Sequence, residues 1–250
     1  MSFPPPHDLR DALFLDLDGT LAPIEATPDA VRFCDRRSAL LARLEDAMDG
    51  ALAILSGRTL EDIERILGDR PRAVAAVHGL VRRASDGSLI RLPANPGLER
   101  AREILRPLTK ARAGLLLEDK DLSLAVHYRG APGAADAVRE AVERLAVEEG
   151  LARQDGDMVT ELRTAGPDKG DAMRAFLAQP PFAGRRPVMV GDDLTDEHAF
   201  RAALNLGGFG ILVGPPRPTA ARYRLESADA VLAWLEAALI SPVNAGSLPR

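Results

Sequence analysis

Two carboxylates, Asp16 and Asp18, stand two residues apart in the stretch Phe14-Leu15-Asp16-Leu17-Asp18-Gly19-Thr20-Leu21. Like charges this close repel unless a cation or a shared proton offsets them. The apolar run Ala12-Leu13-Phe14-Leu15 before them reads as a buried parallel strand. Period two puts both carboxylates on one side of the pleat, where that strand ends. Gly19 allows a sharp turn, and Thr20 adds a hydroxyl and an amide. These types suit a Mg²⁺ site, which takes one or two carboxylates plus water and a substrate phosphate. Asp-x-Asp-Gly is also ordinary turn chemistry after a strand, so this stretch alone leaves both readings open. A calcium loop does not fit, because Thr27 stands where its twelfth-position Glu belongs.

Other reactive residues recur after apolar runs. Ala51-Leu52-Ala53-Ile54-Leu55 leads into Ser56-Gly57-Arg58. A hydroxyl, a glycine and a guanidinium at a strand's carboxyl end can cradle a phosphate, although the same tripeptide is a common loop. Ala73-Val74-Ala75-Ala76-Val77 leads into His78-Gly79, and Pro187-Val188-Met189-Val190 into Gly191-Asp192-Asp193. Of 32 basic residues only Lys110, Lys120 and Lys169 are lysines. A lysine that survives in so Arg-rich a chain marks a place that needs a compact ammonium. Lys169 sits where Pro167-Asp168-Lys169-Gly170-Asp171 opens a helix, and the helix dipole disfavours a cation there. The sequence therefore predicts an anion beside it.

The elements that must position these residues alternate. Strands at residues 12–15, 51–55 and 73–77 are separated by a helix over about 35–48 and another opened by Thr59-Leu60-Glu61-Asp62. The pattern resumes with the Lys169 helix, the 187–190 strand, a helix capped by Thr195-Asp196-Glu197, the strand Gly210-Ile211-Leu212-Val213-Gly214 and a helix over about 227–239. This predicts an α/β fold, a Rossmann-like doubly wound parallel sheet with its site along the carboxyl edge. Between the halves, residues 80–92 read as a hairpin around Asp86-Gly87. Residues 93–163 then read as an inserted α+β unit, leaving 1–92 and 164–250 as the main domain. The insert has helices near 97–111 and 133–149, and strands near 114–119, 122–129, 151–155 and 158–163, so an antiparallel sheet carries two helices on one face. Alternation puts Leu124, Val126 and Tyr128 on the apolar face. It puts Glu118, Lys120, His127, Arg129 and Glu161 on the other, a mixed set of donors and acceptors suited to a polyhydroxyl ligand. The Pro-rich residues 1–10 and the tail after Ser241 are expected to be loose.

Composition narrows the partners. The chain is 46% hydrophobic and 28% charged, an ordinary globular balance. Its net charge of −5 argues against nucleic acid or an anionic membrane as partner. Cys34 is the only cysteine, which excludes an intrachain disulfide and a thiolate metal cluster. The first residues do not read as a signal peptide and no apolar run reaches membrane length, so a cytoplasmic monomer is the expectation.

The ordered set Asp16-Leu17-Asp18-Gly19-Thr20, Ser56-Gly57-Arg58, Lys169 and Gly191-Asp192-Asp193-Leu194-Thr195-Asp196 resembles the four motifs of haloacid-dehalogenase-superfamily phosphatases. Glu118-Asp119-Lys120, His127-Tyr128-Arg129, Glu161-Leu162 and Lys169-Gly170 resemble the trehalose-6-phosphate phosphatases within it, over about residues 11 to 239. The resemblance implies that Asp16 attacks phosphorus, that Asp18 acts as general acid and base, and that Lys169 is catalytic. It implies Mg²⁺ held by Asp16, the Asp18 carbonyl and Asp192, with Asp193 and Asp196 behind these ligands or beside Lys169. Thr20, Ser56, Gly57, Arg58 and Lys169 are implied to hold phosphate, and the insert to be a cap whose polar face binds the sugar. Rival readings are a phosphatase of sucrose phosphate or mannosyl phosphoglycerate, a phosphomutase-like relative and a non-catalytic sensor. The intact Asp16 and Asp18 disfavour the sensor.

Overall fold

The computed structural model describes residues 1–241, so the tail expected after Ser241 lies outside the described residues. The chain divides into two compact units, Met1–Ile90 with Pro167–Arg250, and Arg91–Gly166. In chain order the first unit opens with β1 (Ala12–Leu15), α1 (Asp35–Ala47), β2 (Leu52–Leu55), α2 (Leu60–Leu67), β3 (Ala73–Ala76), β4 (Val81–Arg83) and β5 (Leu89–Arg91). The second holds α3 (Gly97–Lys110), β6 (Leu116–Asp119), β7 (Ser123–His127), α4 (Ala135–Glu149), β8 (Ala152–Gly156) and β9 (Val159–Arg163). The chain closes with α5 (Lys169–Leu177), β10 (Pro187–Gly191), α6 (Glu197–Asn205), β11 (Phe209–Val213), β12 (Tyr223–Leu225) and α7 (Ala228–Ile240).

The large sheet runs β12-β11-β10-β1-β2-β3-β4-β5, parallel from β12 to β3, with β4 antiparallel to β3. Every residue of β1, β2, β3, β10 and β11 is buried, as expected of parallel strands covered on both faces. Strand β1 lies between β2 and β10, with Leu15 opposite both Ile54 and Val190. The strand order reverses here, which is where an open α/β sheet leaves a crevice at its carboxyl edge. The residues following β1, β2 and β10 therefore emerge side by side. Beneath them, Phe14, Phe176 and Phe182 stack into the core, with ring centroids 5.5 Å apart for Phe14–Phe182 and 5.3 Å for Phe176–Phe182.

Three local features go beyond the sequence pattern. The Pro-rich start is packed rather than loose: Arg224 N–H donates to Ser2 O, Trp234 Nε1 donates to Pro5 O at 2.8 Å, and His7 and Leu9 are buried. Thr27 precedes a single 3₁₀ turn, Pro28–Ala30. Strand β12, which no periodicity announces in three residues, pairs with β11.

The second unit is an antiparallel sheet in the order β6-β7-β9-β8. Helices α3 and α4 cover one face, and Leu105, Val142, Leu124, Val126, Tyr128 and Leu162 fill the space between. No helix among the described residues is long and apolar enough to cross a membrane.

Candidate active site

Asp16 is the first residue beyond β1, and its N–H donates to Val190 O on β10 at 2.9 Å. The chain turns back at Gly19, whose φ of 75° lies in the left-handed region. A Cβ there would fall 2.0 Å from Asp192 Oδ2, so this glycine makes room for a carboxylate as well as a turn. Gly191 does the same for Asp196, whose carboxylate would lie 2.4 Å from an added Cβ. Asp196 is fully buried and binds in two directions. Its Oδ2 accepts the N–H groups of Asp192 and Asp193 at 2.9 and 3.0 Å, and its Oδ1 accepts Lys169 Nζ at 2.6 Å. Lys169 Nζ also donates to Asp16 Oδ1 at 2.7 Å. Asp168 and Asp171 form a reciprocal cap that fixes Lys169 as the first residue of α5. The anion expected beside that lysine is thus, in the protein itself, a pair of carboxylates.

Asp16, Asp192 and Asp196 bring oxygens within 4.8 Å of one another, and one ammonium, Lys169, pairs with Asp16 and Asp196. Burial, then Asp196 and Asp18, push the Asp16 carboxyl up to about 7 against the pull of Lys169. Burial, then Asp16, Asp196 and Asp193, push Asp192 up to about 10. Lys169 moves up as well, because its two carboxylates outweigh the cost of burying it. Asp192 Oδ1 is buried and accepts no hydrogen bond, and Thr20 Oγ1 is buried without a partner. An oxygen-only donor set with surplus negative charge and an unused carboxylate oxygen fits a hard divalent cation. Asp196 completes this cluster of side chains and, as the resemblance implies, lies beside Lys169. Asp193, implied to support the ligands, accepts the N–H of Leu194 and caps the turn leading to α6.

Beyond β2, Ser56 is buried, its N–H bonded to Ala75 O and its Oγ accepting the Arg58 N–H at 3.2 Å. Gly57 has no room for a side chain, since a Cβ would meet the His78 ring at 2.5 Å. His78 adopts φ 56° in the loop after β3 and its N–H donates to Ser56 O. Its polar position after a strand is visible in sequence, but its packing on Gly57 is not. Arg58, expected at the phosphate, meets Asp18. Its Nε and Nη2 donate to the two oxygens of Asp18 at 2.7 and 2.8 Å, and Nη2 also reaches Pro28 O at 3.0 Å.

In the second unit, strand register places Glu118 opposite Ala125 and Ala125 opposite Glu161, one row across β6, β7 and β9. The small Ala125 leaves the space between the two glutamates to longer neighbours. Lys120 Nζ donates to Glu161 Oε2 at 3.3 Å and lies 3.7 Å from Glu118 Oε2. His127 Nε2 is 2.7 Å from Glu118 Oε2. Lys120 and Glu161 are buried, only 9% and 5% exposed, far from the solvated state usual for such residues. Burial opposes the charge of Glu118, but Lys120 and His127 outweigh it and hold its carboxyl below the usual range. Arg129 does not join this group; its guanidinium pairs with Asp157 at 2.7 Å. Arg163, which the sequence reading leaves out, is buried on β9 and donates to Gln154 Oε1 and Gly166 O.

Comparison with known proteins points one way. The sequence model described as trehalose-phosphatase matches residues 14–229. The chain is 41% identical over 223 residues to the probable trehalose-phosphate phosphatase of Sinorhizobium fredii, covering 88% of this chain and 84% of the relative. It is 37% identical over 238 residues to the trehalose-6-phosphate phosphatase of Escherichia coli, covering 93% and 88%. Among solved structures, a trehalose-6-phosphate phosphatase related protein superposes with a TM-score of 0.76 at 27% identity, covering 90% of this chain and 95% of that one.

Proposed function

The chain belongs to the trehalose-phosphatase family, and from that premise we propose that it hydrolyses trehalose 6-phosphate to trehalose and inorganic phosphate. The observation that carries the chemistry is the buried Asp16–Lys169–Asp196 network beside Asp192 at the carboxyl edge of β1 and β10. Lys169 occupies Asp16 Oδ1, which leaves Oδ2 for in-line attack on phosphorus. The P–O bond to the sugar breaks as the aspartyl phosphate forms, and Asp18 gives its proton to the departing sugar oxygen. Asp18 then takes a proton from the water that attacks the aspartyl phosphate, releasing phosphate and restoring Asp16. Both oxygens of Asp18 accept N–H groups of Arg58, and each keeps a second lone pair that can take a proton. Ser56, Lys169 and the Thr20 amide are the proposed donors to the equatorial phosphoryl oxygens.

Magnesium is the proposed cation, held by Asp16 and Asp192 with the Asp18 carbonyl; when bound it neutralises charge on the phosphoryl oxygens. The choice of sugar falls to the polar face of the inserted unit. Carboxylates of Glu118 and Glu161 accept from hydroxyls, while Lys120 donates to hydroxyl oxygens. The proposed setting is the cytoplasm, where a soluble sugar phosphate is available.

Release of inorganic phosphate from a panel of sugar phosphates tests this reading. Trehalose 6-phosphate should be cleaved fastest. Faster release from sucrose 6-phosphate or glucose 6-phosphate would assign the chain a different substrate.

A further inference from the structure

We propose that Arg217, braced by Glu197, is the positioning residue for the metal-binding carboxylate of Asp192. The proposal rests on the reading of that site as a divalent-cation site. Asp192 Oδ1 is buried and accepts no hydrogen bond, so the side chain takes its place from its own backbone. That backbone is gripped from two sides. Its N–H and that of Asp193 donate to Asp196 Oδ2. Its carbonyl and that of Asp193 accept from one atom, Arg217 Nη2, at 3.2 and 2.8 Å.

Arg217 lies beyond β11, in the segment leading to β12, and reaches back across more than twenty residues to do this. Its other terminal nitrogen, Nη1, donates to Glu197 Oε1 at 2.5 Å and to Pro218 O at 3.1 Å. Glu197 is buried, and its second oxygen accepts the N–H of Ala220 at 2.9 Å. The carboxylate therefore fixes both the guanidinium and the loop that presents it. A planar fork suits this task, because two donors at a set angle serve a carboxylate and a pair of carbonyls at once. Arg217 carries no spacing signal that would single it out in sequence. Hard cations bind well only when their carboxylates are held close to the required positions, and groups behind the ligands commonly govern affinity.

The test is Mn²⁺ binding to the full chain after chelation and desalting, read from the electron paramagnetic resonance of the free ion. Arg217→Met should weaken binding by roughly 10- to 100-fold. KM for trehalose 6-phosphate at saturating Mn²⁺ should move less than about twofold, and Arg217→Lys should recover part of the lost affinity. A folded Arg217→Met protein that binds Mn²⁺ as tightly as the unmodified chain overturns the proposal. Should that variant fail to fold, Glu197→Gln keeps the shape and removes the bracing charge; undiminished Mn²⁺ affinity there overturns it equally. If the unmodified chain binds no Mn²⁺, this proposal and the cation reading fall together. If Mn²⁺ affinity falls in Arg217→Met while trehalose 6-phosphate is not a substrate, the positioning role stands and only the substrate reading fails.

Discussion

The two clusters of buried charge in this protein are balanced differently. At the carboxyl edge of the parallel sheet, three carboxylates, Asp16, Asp192 and Asp196, cluster with one ammonium, Lys169, which pairs with Asp16 and Asp196. On the inserted unit, Glu118 and Glu161 face Lys120 and His127, close to one donor for each acceptor. The first cluster is electrostatically incomplete without a cation, and its raised carboxyl groups express that strain. The second is nearly self-sufficient, so what it lacks is not charge but partners with hydroxyl geometry. On the proposed reading, one holds a cation and moves a phosphoryl group, and the other recognises a neutral sugar.

The sharpest way to break this comparison is Asp16→Asn. It keeps the shape of the nucleophile and removes its reactivity, so turnover should vanish on sugar phosphates and on p-nitrophenyl phosphate alike. Retention of more than about a hundredth of the activity would exceed what losing a general acid or base alone usually leaves, and would exclude the covalent route.

Chelation should come next in size. Removing divalent cations should abolish activity, and Mg²⁺ should restore it. Because the cation binds the folded chain, it should also raise the unfolding free energy, by about 2.7 kcal/mol at a hundred times its dissociation constant. Asp192→Asn should lose most of that gain, and Glu161→Gln none of it. Full activity in chelator with no added metal would remove the distinction between the clusters.

Substitutions on the inserted unit should act on one substrate only. Lys120→Met and Glu161→Gln each remove a charged hydrogen bond, costing on the order of 1.5–3 kcal/mol. That corresponds to roughly a ten- to 150-fold loss in kcat/KM for trehalose 6-phosphate. Hydrolysis of p-nitrophenyl phosphate, which has no sugar to read, should barely change. Equal losses on both would mean that these residues hold the sheet together and do not select the ligand.

The same contrast explains what could be read without coordinates. The parallel core was legible because each strand is a short unbroken apolar run followed by its reactive residue, as at Leu15-Asp16 and Leu55-Ser56. The insert was legible because alternation separates Leu124, Val126 and Tyr128 from Ala125, His127 and Arg129. Pairings made across the fold were not. Arg58 meets Asp18 from 40 residues away, and Arg217 meets the Asp192 carbonyl from 25. No local spacing encodes such contacts; they follow from strand order and from which loops emerge side by side. Asp196 supports Lys169, as its motif implies, but that it also meets the Asp192 and Asp193 N–H groups in the space Gly191 leaves is not visible in sequence. Arg129 shares a strand face with His127 in the alternation but lies just past the end of β7, where Asp157 in the β8–β9 turn captures it.

The smallest effect concerns acid, which must be separated from catalysis before either cluster is judged by a pH profile. His7 belongs to neither cluster. It is buried on the first unit with its ring 5.4 Å from that of Trp234, whose indole N–H is held by Pro5 O. Burial, opposed by Asp8 and assisted by Arg186, lowers its pKa from 6.5 to about 4. Between those values the unfolded chain binds a proton that the folded chain does not, so stability rises with pH and is lost as pH falls. From pH 7 to 5.5 the loss from this one group should be about 1 kcal/mol, growing to about 3 kcal/mol by pH 4. Unfolding free energies from denaturant titrations across that range should fall in the unmodified protein and fall less, by these amounts, in His7→Phe. The aromatic replacement keeps a ring against Trp234 but has no proton to take. Activity lost below pH 6 in both proteins alike would then belong to the chemistry. Activity that His7→Phe rescues would belong to acid unfolding of the first unit. An unchanged slope of unfolding free energy with pH in His7→Phe would place the acid-sensitive group elsewhere, with the carboxylates paired to arginine as the next to examine.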